Sequence, residues 1–468
     1  MPLHKHKEPS QDGRNSEQIT LNPLFSGAGE IGSIPRLHLP PGELAPDAAA
    51  QLIRDELLLD GSARLNLATF VTTWMEPQAA ALMADCADKN MIDKDEYPQT
   101  AELERRCINI LADLWHAHGD GQATGCSTTG SSEAAMLAGL ALLWRWRQRQ
   151  SEIGLEAGRP NLVMGINVQV CWEKFCRYWD VEPRYAPMEA DRRHLTAESA
   201  LPLVDENTIG VVAILGSTQD GSYEPVADIC SALDRLSAQG GPDVAVHVDA
   251  ASGGFIAPFI QPDLEWDFRL PRVSSINASG HKYGLVYPGI GWALWRDTAA
   301  LPENLVFHVN YLGGSMPTFA LNFSRPGAQV VAQYYQLIRL GREGYRRVQQ
   351  ASQDVALYLS SEIGELGPYQ CLTDGSELPV FVFRLHSGED RFTVFDVSDG
   401  LRKRGWQVPA YTFPENLTDV SVLRVVVRNG FGRDLADMFL QDLANETRQL
   451  DALHHPLPQP EARESFHH

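Results

Sequence analysis

Short, continuous apolar runs alternate with amphipathic stretches through the middle of the chain. Four runs, at residues 162–168, 209–215, 244–248 and 290–295, predict strands that are buried on both faces. Between such runs, residues 133–149 and 225–238 carry apolar side chains at helical spacing. This alternation predicts an α/β fold with a mostly parallel sheet. Ligands of such sheets bind at the carboxyl ends of the strands.

A different pattern begins near residue 326. Helical spacing continues from Ala328 past Tyr345 to about residue 365, with a kink or break predicted at Gly341. Strand candidates at 379–385 and 422–427 and a helical stretch at 434–450 then indicate a smaller α+β domain. The predicted organisation is an N-terminal arm at 1–60, a large domain at 61–350, a small C-terminal domain at 351–453 and a tail at 454–468.

Composition narrows the class of protein. The net charge of −21 argues against nucleic-acid binding, which requires a basic surface to neutralise phosphates. The seven cysteines form no C-x-x-C pair and are interpreted as reduced thiols, so no metal site is expected. The N-terminus has no apolar signal segment, and the longest apolar run, residues 134–144, is far below the ~20 residues that span a bilayer. We therefore expect a soluble, cytoplasmic protein without membrane insertion.

The segment 275–284, S-I-N-A-S-G-H-K-Y-G, places Lys282 after a strand among small residues. A lysine in this position reaches the ligand-binding edge of a sheet. Burial beside apolar or cationic groups lowers the pKa of its amine, which then becomes a nucleophile for carbonyl groups. The competing interpretation is an exposed loop lysine, which is the commoner case for a lysine seen alone.

The segment 246–255, V-H-V-D-A-A-S-G-G-F, ends an apolar strand at Asp249. A carboxylate at that point is costly unless it meets a cation, and a protonated pyridine nitrogen is one such cation. The alternative is an aspartate that caps the following turn through the backbone. The 33 positions from Asp249 to Lys282 leave room for one further strand with its crossover, so the two side chains can meet at adjacent strand ends.

The segment 128–133, T-T-G-S-S-E, opens the helix predicted at 133–149. Small residues at a helix start leave backbone N–H groups free, and serine hydroxyls add donors, so a phosphate group can dock there. The alternative is an ordinary helix N-cap formed by Ser131.

These segments, taken together and in this order, resemble the glutamate decarboxylase family of fold-type I pyridoxal-phosphate enzymes. The similarity extends from about residue 50 to residue 450. The stretches that carry it are 66–74 (NLATFVTTW), 92–99 (IDKDEYPQ), 168–180 (VQVCWEKFCRYWD), 247–255, 266–271, 279–284, 311–314, 322–326 and 405–409. The resemblance implies a large domain with a mostly parallel seven-stranded sheet, a small C-terminal α+β domain, pyridoxal 5′-phosphate as cofactor, and decarboxylation of L-glutamate to 4-aminobutanoate.

The resemblance also implies a role for each matching site residue. Lys282 is the Schiff-base lysine, which makes it catalytic, and Asp249 pairs with the pyridine nitrogen. The other implied cofactor contacts are Gln169 and Ala251 at the faces of the ring, Thr218 near the ring oxygen, Ser131, Ser132, Ser279 and His281 at the phosphate, and Ser324 from a neighbouring subunit. The implied substrate contacts are Thr69 and Phe70, Asp93 from across a dimer interface, and Arg428 for the α-carboxylate.

Most of these assignments have plainer alternatives. Gln169 could be a polar residue at a strand edge, and Ser324 a turn residue. Asp93 could cap a helix, and Thr69 could be an ordinary β-branched strand residue. Arg424 competes with Arg428 for the α-carboxylate. Because Asp93 and Ser324 are implied to come from a neighbour, we expect a homo-oligomer with a dimer as the minimal unit, and a hexamer is compatible with it.

Three functions remain open from the sequence. The first is decarboxylation of L-glutamate, which consumes a proton and suggests a role in acid tolerance. The second is decarboxylation of aspartate, cysteine sulfinate or an aromatic amino acid, or a carbon–carbon lyase reaction, on the same fold. The third is an interaction protein on a catalytically dead cofactor fold. Thr69, Phe70 and Asp93 favour an acidic substrate side chain, and the presence of both Lys282 and Asp249 argues against the third.

The tail ends in two histidines, His467 and His468, and resembles the tail of bacterial relatives in which a C-terminal histidine is thought to close the site at neutral pH. Imidazole titrates near pH ~6.5, where such a switch would act. A disordered tail or a cloning remnant is the alternative. The tail has no basic amphipathic helix, so calmodulin binding is not expected.

Deletion of Ser465 to His468 is expected to extend activity to higher pH, because the neutral imidazoles that close the site would be gone. Carbon dioxide release from L-glutamate between pH 4 and 7 measures this. A profile identical to that of the full chain would contradict a closing role for His467 and His468.

Overall fold

The structure is a computed structural model that describes residues 36–117, 123–152, 154, 158–309, 316–389 and 391–453. The chain divides into two compact units, Met1–Gly61 and Ser62–His468. In the described part of the first unit, helix α1 (Pro46–Leu57) buries none of its side chains. No helix of the described ranges is long and apolar enough to cross a membrane.

The central sheet of the second unit has seven strands among the described residues. They are β1 (Thr124–Thr128), β2 (Asn161–Gly165), β3 (Glu182–Ala186), β4 (Thr208–Ile214), β5 (Val246–Asp249), β6 (Val273–Ala278) and β7 (Gly291–Trp295). Their order is β1-β7-β6-β5-β4-β2-β3, and β7 alone runs antiparallel to its neighbours in this sheet. The predicted fold class is therefore confirmed, and the four predicted strands correspond to β2, β4, β5 and β7.

Helices cover both faces of this sheet because its strands are apolar on both sides. On β4, Val211 and Ala213 belong to one core, while Val212 and Ile214 belong to the other. The described helices of the second unit, of which α10 and α11 pack on the small sheet instead, are α2 (Pro77–Asp85), α3 (Pro98–Leu114), α4 (Ser131–Glu152), α5 (Val170–Tyr178), α6 (Ala197–Ala200), α7 (Val226–Ala238), α8 (Ala257–Ile260), α9 (Ala328–Glu365), α10 (Val394–Arg402) and α11 (Arg433–Asp451). The predicted helices at 133–149, 225–238 and 434–450 correspond to α4, α7 and α11.

The C-terminal part contains a small antiparallel sheet, as the resemblance implied. A short hairpin, β8 (Phe307–Val309) with β9 (Met316–Thr318), precedes it. The small sheet has the order β10-β11-β13-β12, formed by β10 (Tyr369–Cys371), β11 (Val380–Leu385), β12 (Ala410–Thr412) and β13 (Ser421–Val426). Its core also takes side chains from α9, α10 and α11. The exact domain boundaries stay predictions.

Helix α9 joins the two cores. Leu337 in its first half packs in the core of the large sheet, and Leu359 in its second half packs in the core of the small sheet. Between them Gly341 has φ 57° and ψ −172°, which breaks the regular helix. The predicted kink is therefore confirmed. This backbone region is accessible essentially only to glycine.

We expect Gly341→Ala to destabilise the protein by about 1–3 kcal/mol, because alanine is strained at this φ and ψ. A Cβ at Gly341 would meet no atom of the described residues within 4 Å, so the cost is backbone strain rather than a clash. Urea unfolding measures the change. The control is Gly364→Ala in the same helix, also without a contact within 4 Å, which we expect to stabilise by ~0.4–1 kcal/mol. Equal stability of the two variants would contradict the strain argument.

Candidate active site

A cavity of about 360 Å³ lies at the carboxyl edge of the large sheet. Its lining comes from residues that follow β2, β4, β5 and β6 and from the start of α4, as expected for a parallel sheet. The lining residues are Thr129, Gly130, Ser131, Ser132, Glu133, Asn167, Gln169, Cys171, Ile214, Gly216, Thr218, Asp249, Ala251, Ser252, Ser279, His281 and Lys282. Nine of the ten predicted cofactor contacts are thus brought together.

Lys282 presents its amine to this cavity. Its Nζ donates to Ser252 Oγ at 3.3 Å and lies 5.2 Å from the centre of the Phe70 ring. Burial lowers the pKa of Lys282, although the charge of Asp249 opposes this, and Arg424 lowers it further. A larger fraction of the amine is therefore neutral and nucleophilic than for an exposed lysine. The alternative of an exposed loop lysine is wrong.

Asp249 is buried and is held by three N–H donors. Its Oδ2 accepts from Trp172 Nε1 at 2.8 Å, and its Oδ1 accepts from Asn277 Nδ2 at 3.0 Å and from the Ala251 N–H at 3.1 Å. The contact with the Ala251 N–H is the cap of the following turn that was the alternative interpretation of Asp249. Because all three partners donate, they stabilise the ionised carboxylate. The ionised group remains able to accept a further proton donor from the cavity.

The start of α4 forms a cradle for an anion. Ser279 Oγ donates to Ser131 Oγ at 2.7 Å, which places two hydroxyls side by side. A Cβ at Gly291 would lie 2.4 Å from the Gly130 carbonyl carbon and 2.7 Å from the Ser131 nitrogen, so β7 approaches the helix start this closely only as glycine. Since the helix has 22 residues, its N-terminus adds backbone donors and a positive dipole end.

His281 completes the cradle as a neutral donor. Burial lowers the pKa of His281 to about 4, and the neighbouring charge of Lys282 acts in the same direction. Its Nδ1 faces the Ile290 N–H at 3.3 Å and accepts from it, so the proton of the neutral ring is on Nε2.

Glu133, at the start of α4, connects this cradle by hydrogen bonds to the segment 321–324. Glu133 accepts from the backbone N–H groups of Leu321 and Asn322 at 3.0 and 3.2 Å, and from that of Thr129 at 2.8 Å. Ser324 lies on the same segment, is exposed, and accepts at its Oγ from Asn90 Nδ2 at 3.4 Å.

Gln169, Thr218 and Ala251 lie in the cavity wall. Gln169 is the N-cap of α5, where its side chain accepts from the Cys171 N–H at 2.7 Å. It is therefore a helix cap rather than a strand-edge residue. Thr218 and Ala251 follow the carboxyl ends of β4 and β5, and both line the cavity as the resemblance implied.

Ser324 and Asp93 are not among the described lining residues of the cavity. Asp93 is partly buried in a turn five residues before α3 begins at Pro98, so it does not cap that helix. Ser324 is the one predicted cofactor contact outside the cavity. Their assignment to a neighbouring subunit stays a prediction.

The segment 66–75 packs against the backbone of the lysine. The Thr72 N–H donates to the His281 carbonyl at 2.7 Å, and Thr72 Oγ1 donates to the Lys282 carbonyl at 2.6 Å. This contact explains why Phe70 lies over the Lys282 amine. Thr69 lies outside any strand, and its Oγ1 accepts from the Val71 N–H at 3.1 Å.

The two candidate arginines differ in their partners. Arg428 is buried and donates to the Asn66 carbonyl, to the Ala63 carbonyl at 2.9 Å and to Thr73 Oγ1 at 3.1 Å. Arg424 donates to the carbonyl of cavity-lining Thr218, and its guanidinium lies 4.9 Å from the centre of the Phe70 ring. The structure thus brings Arg424 into contact with the cavity wall, whereas Arg428 supports the segment beside it.

Several residues of the site were not singled out from the sequence, among them Ser252, Asn277, Trp172 and Asn167. Asn277 carried a usable signal, since it is a polar residue in a buried strand, two positions before Ser279. Its register partner on β5 is Asp249. The predicted regulatory residues His467 and His468, and the stretch 311–314, lie outside the described residues.

Comparison with known proteins agrees with this geometry. A family model described as the pyridoxal-dependent decarboxylase conserved domain matches residues 41–386. A glutamate decarboxylase of Aliivibrio fischeri is 54% identical over 445 residues, which cover 95% of this chain and 94% of that protein. Glutamate decarboxylase beta of Listeria innocua is 48% identical over 444 residues, covering 94% and 96%. The solved structure of a Lactobacillus brevis glutamate decarboxylase gives a TM-score of 0.89 at 49% identity, covering 93% and 99%.

The residues of the cavity fit pyridoxal phosphate at three points. The glycine-lined start of α4, with the hydroxyls of Ser131 and Ser279, fits a phosphate group. The Lys282 amine fits the aldehyde, and buried, ionised Asp249 fits a protonated ring nitrogen. The chain belongs to the pyridoxal-dependent decarboxylase family, and pyridoxal phosphate is its cofactor.

Proposed function

We propose that this protein catalyses the decarboxylation of L-glutamate to 4-aminobutanoate and carbon dioxide. The observation that carries this proposal is the convergence of Lys282, Asp249 and the start of α4 on one cavity. It occurs in a chain 54% identical, over nearly its whole length, to a glutamate decarboxylase.

When bound, pyridoxal phosphate supplies an aldehyde that condenses with amines and a ring that takes up the electron pair of the cleaved bond. Ser131, Ser132, Ser279 and the Nε2–H of His281 would hold its phosphate. Gln169 and Ala251 would contact the ring faces, with Thr218 near the ring oxygen. Arg424 and Phe70 lie close to the Lys282 amine and help to exclude water from it.

Two residues would carry the proton chemistry. Asp249 would pair with the protonated ring nitrogen, because three N–H donors fix its carboxylate in place as an acceptor. Lys282 would hold the aldehyde of the cofactor until a substrate amine replaces it, and Lys282 or a neighbouring group would donate the proton to Cα. The reaction consumes one proton, which supports a role in acid tolerance.

The substrate contacts are proposed from the resemblance and from the position of the segment 66–75. Thr69 and Phe70, with Asp93 of the partner subunit, would line the pocket for the distal carboxylate. Arg428 would bind the α-carboxylate and so orient the substrate for cleavage of its bond to Cα. A homo-oligomer that works in the cytoplasm, with a dimer as its minimal unit, agrees with this assignment.

Lys282→Ala is expected to lower carbon dioxide release from L-glutamate by a factor on the order of a thousand or more, as for loss of other covalent groups. The purified variant should also lose the yellow, ~420-nm absorption of lysine-bound cofactor. The control is Lys174→Ala on the exposed side of α5, which should keep both. Turnover of L-glutamate at the parental rate by Lys282→Ala would contradict the proposal.

A panel of L-glutamate, aspartate, cysteine sulfinate and tyrosine distinguishes the proposed substrate from the alternatives. A protein that is yellow and prefers another amino acid would support the second hypothesis. One that takes up no cofactor and releases no carbon dioxide would support the interaction protein.

Arg428→Gln is expected to raise KM for L-glutamate by about 10- to 100-fold with a smaller change in kcat, as for loss of a charged hydrogen bond to the substrate. Arg424→Gln is the matched comparison. Steady-state kinetics at saturating cofactor, with circular dichroism to check that both variants fold, measures the difference. If KM rises in Arg424→Gln alone, the residue that binds the α-carboxylate is Arg424 and not Arg428.

A further inference from the structure

Ser275, His247 and Asn277 form a continuous chain of hydrogen bonds that ends on Asp249. The Ser275 Oγ lies 2.8 Å from His247 Nδ1, and His247 Nε2 lies 2.7 Å from Asn277 Oδ1. Asn277 Nδ2 in turn lies 3.0 Å from Asp249 Oδ1. The register of β5 and β6 creates this arrangement, because His247 pairs with Ser275 and Asp249 pairs with Asn277.

The direction of each bond follows from the acid at the end. An ionised carboxylate only accepts, so the amide nitrogen of Asn277 must face Asp249 and its carbonyl oxygen must face His247. His247 therefore carries its proton on Nε2. Its Nδ1 then accepts, and the hydroxyl of Ser275 is the donor. All three bonds point toward Asp249, and such chains strengthen one another in an apolar interior.

The surroundings keep His247 neutral. The ring is fully buried, Trp172 of α5 lies 5.2 Å away between ring centres, and Val212 is its register partner on β4. Burial lowers the pKa of His247 to about 4, and the charge of Asp249 only partly opposes this. A buried neutral histidine with both nitrogens bonded has a defined tautomer, which is what orienting Asn277 requires.

We propose that His247 is a positioning residue that fixes the amide orientation of Asn277 and thereby keeps Asp249 an acceptor for the protonated ring nitrogen of the cofactor. This rests on the proposed pairing of Asp249 with that nitrogen. Without the Nε2–H, the Asn277 Oδ1 loses its partner, and only the carboxylate still orients the amide. The Asn277 donor to Asp249 is then held less firmly, and the ring nitrogen faces a less well positioned charge partner.

The test is ¹⁵N NMR of the holoenzyme reconstituted with pyridoxal phosphate labelled at the ring nitrogen, alongside steady-state kinetics. In the parent the signal should lie at the protonated pyridinium position. In His247→Leu it should move toward the unprotonated position, and kcat should fall about 10- to 100-fold with KM for L-glutamate nearly unchanged. His247→Gln, whose amide N–H replaces Nε2–H, should restore the pyridinium signal and most of kcat.

If His247→Leu does not fold, a second pair of variants tests the same chain of hydrogen bonds. Ser275→Ala removes one hydroxyl of the chain, whereas Ser274→Ala removes a buried hydroxyl of the adjacent residue that donates to the Val246 carbonyl instead. We expect Ser275→Ala to lower kcat about 2- to 10-fold and to shift the nitrogen signal, with Ser274→Ala like the parent.

Three results would count against this role. A pyridinium signal and parental kcat in His247→Leu would overturn it, as would identical behaviour of Ser275→Ala and Ser274→Ala. An unprotonated nitrogen in the parent would overturn the Asp249 pairing and the role of His247 with it. By contrast, a parent with a pyridinium signal but no turnover of L-glutamate would overturn only the proposed function.

Discussion

The site depends on keeping a carboxylate ionised at the buried end of a strand. Asp249 is buried at the end of β5, where an unpaired charge would cost several kcal/mol. The fold compensates with an indole N–H from α5, a side-chain amide from β6 and a backbone N–H from the following turn. Each donor comes from a different element, so sheet register and helix packing must both be correct before the acid can be tolerated.

The same edge of the sheet has the opposite effect on the amine of Lys282, because burial there favours its neutral form. Lys282 follows β6, next to the strand that carries Asp249, and its surroundings favour the neutral form without removing it from the cavity. Backbone contacts from Thr72 hold the lysine segment in place. The end of β5 thus supplies a hydrogen-bonded carboxylate, and the segment after neighbouring β6 supplies an amine whose pKa is lowered, which are the two kinds of group that chemistry at Cα requires.

The sequence predicted much of this arrangement because parallel strands collect their following residues at one edge. The positions of Lys282 and Asp249 relative to the apolar runs were sufficient to place them in the cavity, whereas Thr218 was placed by the family resemblance alone. Ser252 and Trp172 could not be placed this way, since their contacts depend on how a turn closes and how α5 lies across the sheet. The edge strands β1 and β3 were missed because their residues are only partly buried and β3 contains Pro183, so neither has a continuous apolar run. The contacts of Ser324 and Asp93 could not be derived from the pattern of one chain, because the resemblance implies that both act in a neighbouring subunit.

Helix α9 has a consequence for how the second unit loses its structure. Its two halves contribute to different hydrophobic cores, and a single bent segment at Gly341 connects them. Melting either half removes packing surface from the sheet beneath it and leaves the other half with a frayed end. The helix therefore couples the stability of the two sheets, so that local melting of one core weakens the packing at the edge of the other.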